Sequence, residues 1–200
     1  MALLKVLVRT ILHALSPGHF QPKERNRHIS GGLRFNLWIL VAYRWVSKRF
    51  IEKIDREGNI LVISVTGAPA PARIEQHTLR EFRGVVCELY CPLHWHYYEI
   101  PETSVRTDDI VLDCGSAEGL FALKASTTAR QVYAVEPNPR SLLLLEQTFR
   151  GLSNVKILPI GVGSKPGIVR LQVANIHSKI LANESTGNGT VEIELKTIDQ

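Results

Sequence analysis

The feature that most constrains the fold is a glycine-rich turn between a buried strand and a helix. Residues 110–112 are a short apolar run, and the turn over 113–119 has the sequence DCGSAEG. Residues 120–129 then predict a helix, and the strand after it ends in Glu136, 23 residues after Asp113. A strand, a glycine turn and a helix form the first half of a nucleotide-binding βαβ unit.

The same alternation continues along the chain. Residues 137–139, Pro-Asn-Pro, are predicted to open a second helix, with residues 142–145 and Phe149 on its apolar face. A third apolar strand is predicted over 155–160. Alternating strands and helices predict an α/β domain with a doubly wound, mostly parallel sheet. Two further strands, over 168–173 and 190–195, are predicted to pair antiparallel, with a polar loop over 176–189 between them.

The turn and the acid predict a nucleoside-type ligand. Gly115 and Gly119 let the backbone turn tightly and let a ligand approach it without meeting a Cβ atom. Glu136, at the carboxyl edge of the sheet, can accept two hydrogen bonds from a ribose diol. Asp113 adds a carboxylate suited to a ligand with a cationic group.

Two ligand classes, dinucleotides and S-adenosylmethionine, could bind such a turn, and the sequence fits the second better. Dinucleotide sites use G-x-G-x-x-G, and this chain has Ala117 in place of the second glycine. It also has an acid, Asp113, two positions before Gly115, where dinucleotide sites are usually apolar. Both departures favour S-adenosylmethionine, which has a sulfonium and no pyrophosphate. An NAD-dependent oxidoreductase is the less favoured alternative.

Four segments of the chain stand out: VLDCGSAEG at 111–119, VYAVEPNP at 132–139, NVKILPIGVG at 154–163 and KTIDQ at 196–200. In order, spacing and sequence they resemble the FkbM family of S-adenosylmethionine-dependent methyltransferases. The resemblance covers residues 108–200. It implies a Rossmann-like enzyme that transfers a methyl group to a hydroxyl of a sugar or a natural-product-like small molecule.

The resemblance also implies which residues bind the cofactor. Those at its methionine end would be Asp113, Gly115, Ser116, Ala117 and Gly119. Glu136 would hold the ribose hydroxyls, with Pro137 and Asn138 beside it, and residues 160–162 would flank the adenine. Ala117 departs from the asparagine common in the family's loop. No catalytic residue is assigned.

Family members continue beyond the segment at 196–199 with an acidic strand-end motif and further strands and helices. We therefore expect this chain to contain the N-terminal half of the domain and to be truncated at its C-terminus. The alternative to an active enzyme is a catalytically incompetent fragment that binds S-adenosylmethionine, or a module that docks on a membrane or a partner.

Residues 1–107 divide into a basic amphipathic helical region over 1–57 and a region of short strands with an aromatic loop over 58–107. Helices are predicted over 2–15 and 34–56, the second ending at Gly58. Strands are predicted over 59–66 and 85–91. Basic, aromatic-bearing amphipathic helices can also lie on an anionic membrane surface, so peripheral membrane contact through residues 1–56 is an alternative to packing.

The distribution of charge and the number of cysteines indicate which partners and which cellular compartment to expect. Residues 1–60 contain eleven Lys and Arg against four Asp and Glu, whereas residues 101–200 contain ten against eleven. The C-terminal half therefore lacks the basic face of a nucleic-acid binder, and no nucleic acid is expected as a partner. Three cysteines are typical of a reducing compartment, so we expect a cytoplasmic protein.

One cluster has the residue types of a zinc site. Cys87, Cys91, His94 and His96 lie within ten residues. Structural zinc sites usually take two ligand pairs from separate turns, because tetrahedral geometry is hard to form from one short segment. We therefore predict no metal here, and buried cysteines beside an aromatic loop instead.

Overall fold

The described part of the chain forms two compact units. A computed structural model describes residues 43–92, 94, 96–173, 178–181 and 189–199. The first unit contains 43–51 and 80–104, and the second contains 52–79 and 105–199. The predicted helix over 2–15 and residues 34–42 of the second predicted helix lie outside the described residues. None of the described helices is long and apolar enough to cross a bilayer.

The helix α1 (Leu79–Tyr90) lies in the first unit apart from its first residue. The strand predicted over 85–91 is wrong, because this segment is helical. Phe82, Val86 and Leu89 are fully buried and recur at helical spacing, which places them on one face. After residue 86, cysteine and leucine alternate with the period of a strand. The buried residues before them follow the helical period, which the shorter window does not include.

A small core holds the first unit together. Val46 packs with Cys87 and Cys91, and Tyr43 and Phe50 cover this cluster. Residues 43–47 are helical. The Arg49 and Phe50 amides donate to carbonyls three residues earlier, and these bonds close the last turn.

The chain then becomes a strand, so the helix predicted to reach residue 56 ends early. The strand β1 (Ile51–Glu57) is exposed on both faces apart from Ile51. Gly58, predicted to stop a helix, has φ +63° and turns the chain back into β2 (Ile60–Val65). The two-residue connection requires a residue with positive φ, which glycine adopts at little cost.

The strand predicted over 59–66 is confirmed as β2. It pairs antiparallel with β3 (Ala72–Glu75), in the order β1-β2-β3. The backbone amide of Arg73 in β3 donates to Thr148 Oγ1 over 3.0 Å.

The predicted alternation of strands and helices is confirmed in the second unit. The elements are β4 (Ile110–Cys114), α2 (Leu120–Ser126), β5 (Gln131–Val135), α3 (Pro139–Thr148) and β6 (Val155–Leu158). The strands are parallel in the order β4-β5-β6. Cys114 is paired with Val135, so the loop after β4 and the acid after β5 emerge at the same edge. The chain is thus α/β with a parallel three-stranded sheet, compatible with a Rossmann-like fold.

The last sheet contains β7 (Gly161–Val162), β8 (Gly167–Gln172), β9 (Lys179–Leu181) and β10 (Thr190–Lys196). Its order is β7-β10-β8-β9, and Leu171, Ile193 and Leu195 form its core. The predicted antiparallel pairing of β8 with β10 is confirmed. The loop predicted over 176–189 is wrong over 179–181, because β9 pairs antiparallel with β8. Residues 176–177 and 182–188 of this loop lie outside the described residues.

Candidate functional site

The glycine-rich loop is attached to the end of β5. The amides of Gly115 and Ser116 both donate to the Val135 carbonyl, over 2.9 and 3.0 Å. The Ser116 hydroxyl donates to the Asp113 carbonyl over 3.0 Å. These bonds fix the loop above the carboxyl end of the parallel sheet, where open α/β sheets bind ligands.

Gly115 and Ala117 give the loop its shape. Gly115 has φ +82°, and a Cβ built on it would meet no atom within 4 Å. Ala117 has φ +45°, which is rare for a residue other than glycine and strains the backbone. Asparagine adopts this conformation more readily than alanine, so an asparagine at this position would carry less strain than Ala117 does.

Gly119 has a different role from Gly115. It has φ +72° and lies at the N-terminus of α2. A Cβ on it would lie 2.5 Å from Leu145 Cδ2 and 2.7 Å from Phe149 Cζ, both of which are buried. Gly119 therefore allows α3 to approach the loop closely, and it does not line the cleft described below.

Glu136 receives two backbone hydrogen bonds. Its Oε2 accepts from the Ala117 amide over 2.9 Å, and its Oε1 accepts from the Asn138 amide over 2.8 Å. The side chain is 6% exposed. Burial raises the pKa of Glu136, and the two amide bonds oppose that rise. Each carboxylate oxygen has a second lone pair, so Glu136 retains acceptor capacity for a ligand.

Asn138 links Glu136 to the next helix. Its Oδ1 accepts from the Arg140 amide over 3.0 Å, which caps the N-terminus of α3. Its Nδ2 lies 3.5 Å from the Ser178 hydroxyl oxygen. Asn138 is 3% exposed. It therefore holds Glu136 and α3 in place, and it does not line the cleft.

Asp113 lies on the same face of the sheet as Ala134, its partner in β5. Its Oδ2 is buried and, among the described residues, has no hydrogen-bond partner. Burial raises the pKa of Asp113 to about 6, and the charge of Glu136 adds to the rise, while the Ser116 hydroxyl and the Ala122 amide oppose it. The side chain thus lies beneath the loop.

A cleft of about 320 Å³ opens at this edge of the sheet. Its lining comes from the loop, the ends of β5 and β6, α3 and the last sheet: Cys114, Gly115, Ala117, Val135, Glu136, Pro137, Ser141, Ile160, Gly161, Val162, Leu171, Ser178, Ile180 and Ile193. The volume falls at the lower end of the range of small-molecule sites. One side presents the Glu136 carboxylate and backbone, and the other is aliphatic.

The cleft brings together half of the predicted cofactor residues. Gly115, Ala117, Glu136 and Pro137 line it, as do the predicted adenine neighbours at 160–162. Asp113, Ser116, Gly119 and Asn138 lie behind this surface. Sequence reasoning missed Cys114 and the wall from the last sheet. The alternating aliphatic residues of β8 and β10 signal a buried face but do not indicate what covers it.

The cysteines and histidines of the first unit differ in burial. Cys87 and Cys91 lie one helical turn apart and are buried, whereas the His96 side chain is 58% exposed. Within the described ranges, no three His, Cys, Asp or Glu side chains are close enough to hold a metal ion. Burial raises the pKa of Cys87 to about 12, so its thiol is inert at neutral pH.

Comparison with known proteins gives one likeness. No family model matches the chain, and no curated protein matches it. The chain is similar to the crystal structure of methyltransferase FkbM from Methylobacillus flagellatus KT, with a TM-score of 0.31 and 15% identity. The similar region covers 63% of this chain and 34% of that chain, about a third of its length. A likeness at this TM-score supports no conclusion about fold or activity. Such conclusions depend here on the glycine-rich loop, Glu136 and the cleft.

Proposed function

We propose that the protein is an S-adenosylmethionine-dependent methyltransferase with a Rossmann-like fold. The observation that supports this most directly is the cleft, where the glycine-rich loop and Glu136 meet at the carboxyl edge of the parallel sheet. The chain segments that resemble the FkbM family contribute both of these parts. The acceptor we propose is a hydroxyl group of a sugar or a natural-product-like small molecule.

The residues of the cleft fit this cofactor. The open space above Gly115 leaves room for the methionine portion beside the backbone. Glu136 can accept hydrogen bonds from both ribose hydroxyls, because each of its oxygens makes only one bond to the backbone. Ile160, Val162 and Ile193 offer an aliphatic surface for a flat heterocycle such as adenine.

The chemistry then depends on orientation. When bound, S-adenosylmethionine supplies an electrophilic methyl group. The protein's part is to hold the donor and the acceptor oxygen in line, since proximity and alignment account for much of the rate of such transfers. The loop and Glu136 would fix the donor, and the aliphatic wall would exclude water from the cleft.

Binding of the demethylated product, S-adenosylhomocysteine, tests the proposal by calorimetry. We expect binding to the wild-type chain and a loss of affinity of about tenfold or more in Glu136→Ala, because the ribose loses its charged acceptor. Glu146→Gln, an exposed acid on α3, is the matched control and should bind as the wild type does. NAD that binds more tightly than S-adenosylhomocysteine would favour the oxidoreductase alternative instead.

Cys114 offers an independent readout, because it is exposed and lines the cleft, while Cys87 and Cys91 are buried. We expect one thiol per chain to react with an alkylating reagent, and S-adenosylhomocysteine to slow that reaction. An unchanged alkylation rate at ligand concentrations that saturate the calorimetric signal would show that the ligand binds elsewhere.

A further inference from the structure

Two arginines of the first unit lie close together without an acidic partner. The Tyr43 ring lies over Gly84, since a Cβ on that glycine would be 3.4 Å from Tyr43 Cε2. The Cys87 thiol lies 3.9 Å from the Tyr43 carbonyl oxygen. The helical segment at 43–47 is therefore packed along α1 at Gly84 and Cys87. This packing brings together the neighbours of Tyr43 and Gly84 in the sequence, Arg44 and Arg83.

The environment of Arg83 is unfavourable for a cation. Burial lowers the pKa of Arg83, and the positive charge of Arg44 lowers it further. Arg83 Nε is a buried donor without a hydrogen-bond partner among the described residues. A buried charged donor left without a partner destabilises the folded state, so it requires an explanation in a folded protein.

No acid in the described residues compensates this charge. Neither guanidinium forms an ion pair or a side-chain hydrogen bond with another described residue. The acids of α1 are Glu81 and Glu88. Glu81 is two residues from Arg83 and so projects from a different side of the helix, and Glu88 is paired with His96 over 3.6 Å.

More positive charge lies nearby. Arg80 precedes Arg83 by three residues on α1, a spacing that places both on one side of the helix. Lys48 follows Arg44 by four residues. Trp45, next to Arg44, is 47% exposed. The surface therefore combines clustered cations with an exposed indole.

We propose that Arg44 and Arg83 form a binding site for a phosphate group, either of a soluble phosphorylated molecule or of an anionic lipid. A phosphate bound between the two guanidiniums would accept hydrogen bonds from their terminal nitrogens and neutralise the repulsion between them. Arginine suits this role, because its planar fork matches a phosphate with two parallel hydrogen bonds. The site lies wholly in the first unit and does not depend on the proposed methyltransferase function.

Thermal unfolding of the full chain in inorganic phosphate, against chloride at equal ionic strength, tests the site. We expect phosphate to raise the Tm of the wild type by about 2–4 °C, because a ligand that binds only the folded state stabilises it. Arg44→Gln should unfold in chloride at the same Tm or a higher one, since it removes the repulsion. It should also lose the response to phosphate.

Two further variants separate a binding role from a structural one. Arg83→Lys keeps the charge but loses the fork, so we expect phosphate affinity about tenfold weaker, measured by ³¹P line broadening. Arg150→Gln, an exposed arginine in the second unit, is the matched control and should respond as the wild type does. Equal phosphate responses in the wild type, Arg44→Gln and Arg83→Lys would overturn the proposal.

Vesicles distinguish the two sources of phosphate. The chain is sedimented with phosphatidylcholine vesicles, with and without phosphatidylglycerol. Binding that requires phosphatidylglycerol and is weakened in Arg44→Gln would identify a lipid headgroup as the ligand. A wild-type response to inorganic phosphate without vesicle binding would identify a soluble phosphate. No response to either would show that the two arginines do not bind phosphate.

Discussion

Gly115 and Gly119 belong to one loop but differ in the space that is available for an added methyl group. Gly119→Ala adds a Cβ within 2.7 Å of buried Leu145 and Phe149 atoms at a positive φ. We expect a loss of about 2–4 kcal/mol in the free energy of unfolding, from overpacking and backbone strain together. Gly115→Ala has the same backbone strain but open space, so its loss should be about 1–2 kcal/mol. Urea denaturation measures both.

Gly115→Ala should weaken ligand binding more than Gly119→Ala does, although it destabilises the fold less. The methyl group of Gly115→Ala points into the open space of the cleft, so it should weaken binding of S-adenosylhomocysteine more than its small effect on stability suggests. Similar losses of stability in both variants would contradict the assignment of Gly119 to helix packing.

Asp113 makes stability depend on pH. Its folded-state pKa of about 6 lies above the ordinary aspartate value of 3.8, so the folded state holds the proton more tightly than the unfolded state does. The contribution of Asp113 to stability is therefore greatest at acidic pH, falls as pH rises from about 4 to 6, and stays lower above that range. Asp113→Asn removes the charge and should stabilise the chain at pH 7 by about 1–3 kcal/mol.

Denaturant unfolding from pH 4 to pH 8 checks this dependence. Glu146→Gln, which changes an exposed carboxyl, should retain the wild-type slope. The raised pKa of Glu136 acts in the same direction, so part of the slope should remain in Asp113→Asn. An Asp113→Asn variant with lower stability than the wild type at pH 7 would show that the carboxylate has a favourable partner.

At the scale of elements, β1 and β4 each lie at the edge of a sheet, and they differ in the kind of side chain that they expose to water. The exposed strand β1 contains five charged residues in its sequence IEKIDRE, which discourage pairing with another chain. In β4, Ile110 is 58% exposed and Leu112 is 41% exposed. Within the described residues, β4 pairs only with β5. An apolar open edge is a template for association.

Ile110→Lys should therefore reduce self-association of the chain, with little effect on stability because the isoleucine is largely exposed. Light scattering over a concentration series measures this. Ile54→Lys, on the charged strand β1, is the matched control and should associate as the wild type does. Unchanged association in Ile110→Lys would show that the edge of β4 is not the contact.

The elements also show what sequence patterns can determine. The β4-to-β6 alternation was predictable, because each strand is a short aliphatic run bounded by turn residues. The helix α1 was not, because Cys87, Leu89 and Cys91 satisfy a period of two, and only Phe82 and Val86 before them reveal the helical period. β1 was missed because both of its faces are exposed, so no buried face imposes alternation.

At the scale of the molecule, two ligands should protect different parts of the chain. In hydrogen exchange, we expect S-adenosylhomocysteine to slow exchange in the loop at 115–119 and at 136–138. Phosphate should slow exchange in α1 and at 43–47. Each ligand thus serves as the control for the other. A footprint of phosphate on the loop, with none on α1, would place its site in the cleft.

The candidate site was predictable only on one side. Residues at the carboxyl edge of a parallel sheet are brought together by the topology, so Gly115 and Glu136 could be paired from the sequence alone. The opposite wall, with Leu171, Ile180 and Ile193, depends on how the last sheet folds over that edge. No local pattern encodes that contact.

The hydrogen bond from Arg73 to Thr148 has a consequence for how fast the chain folds. It joins residues 75 positions apart, and the strand that contains Arg73 packs against α3. The chain must close a long loop before this contact contributes any stability, and contacts of large sequence separation slow folding. The strands β1 to β3 are therefore expected to dock late, after β4 to β6 and their helices have formed.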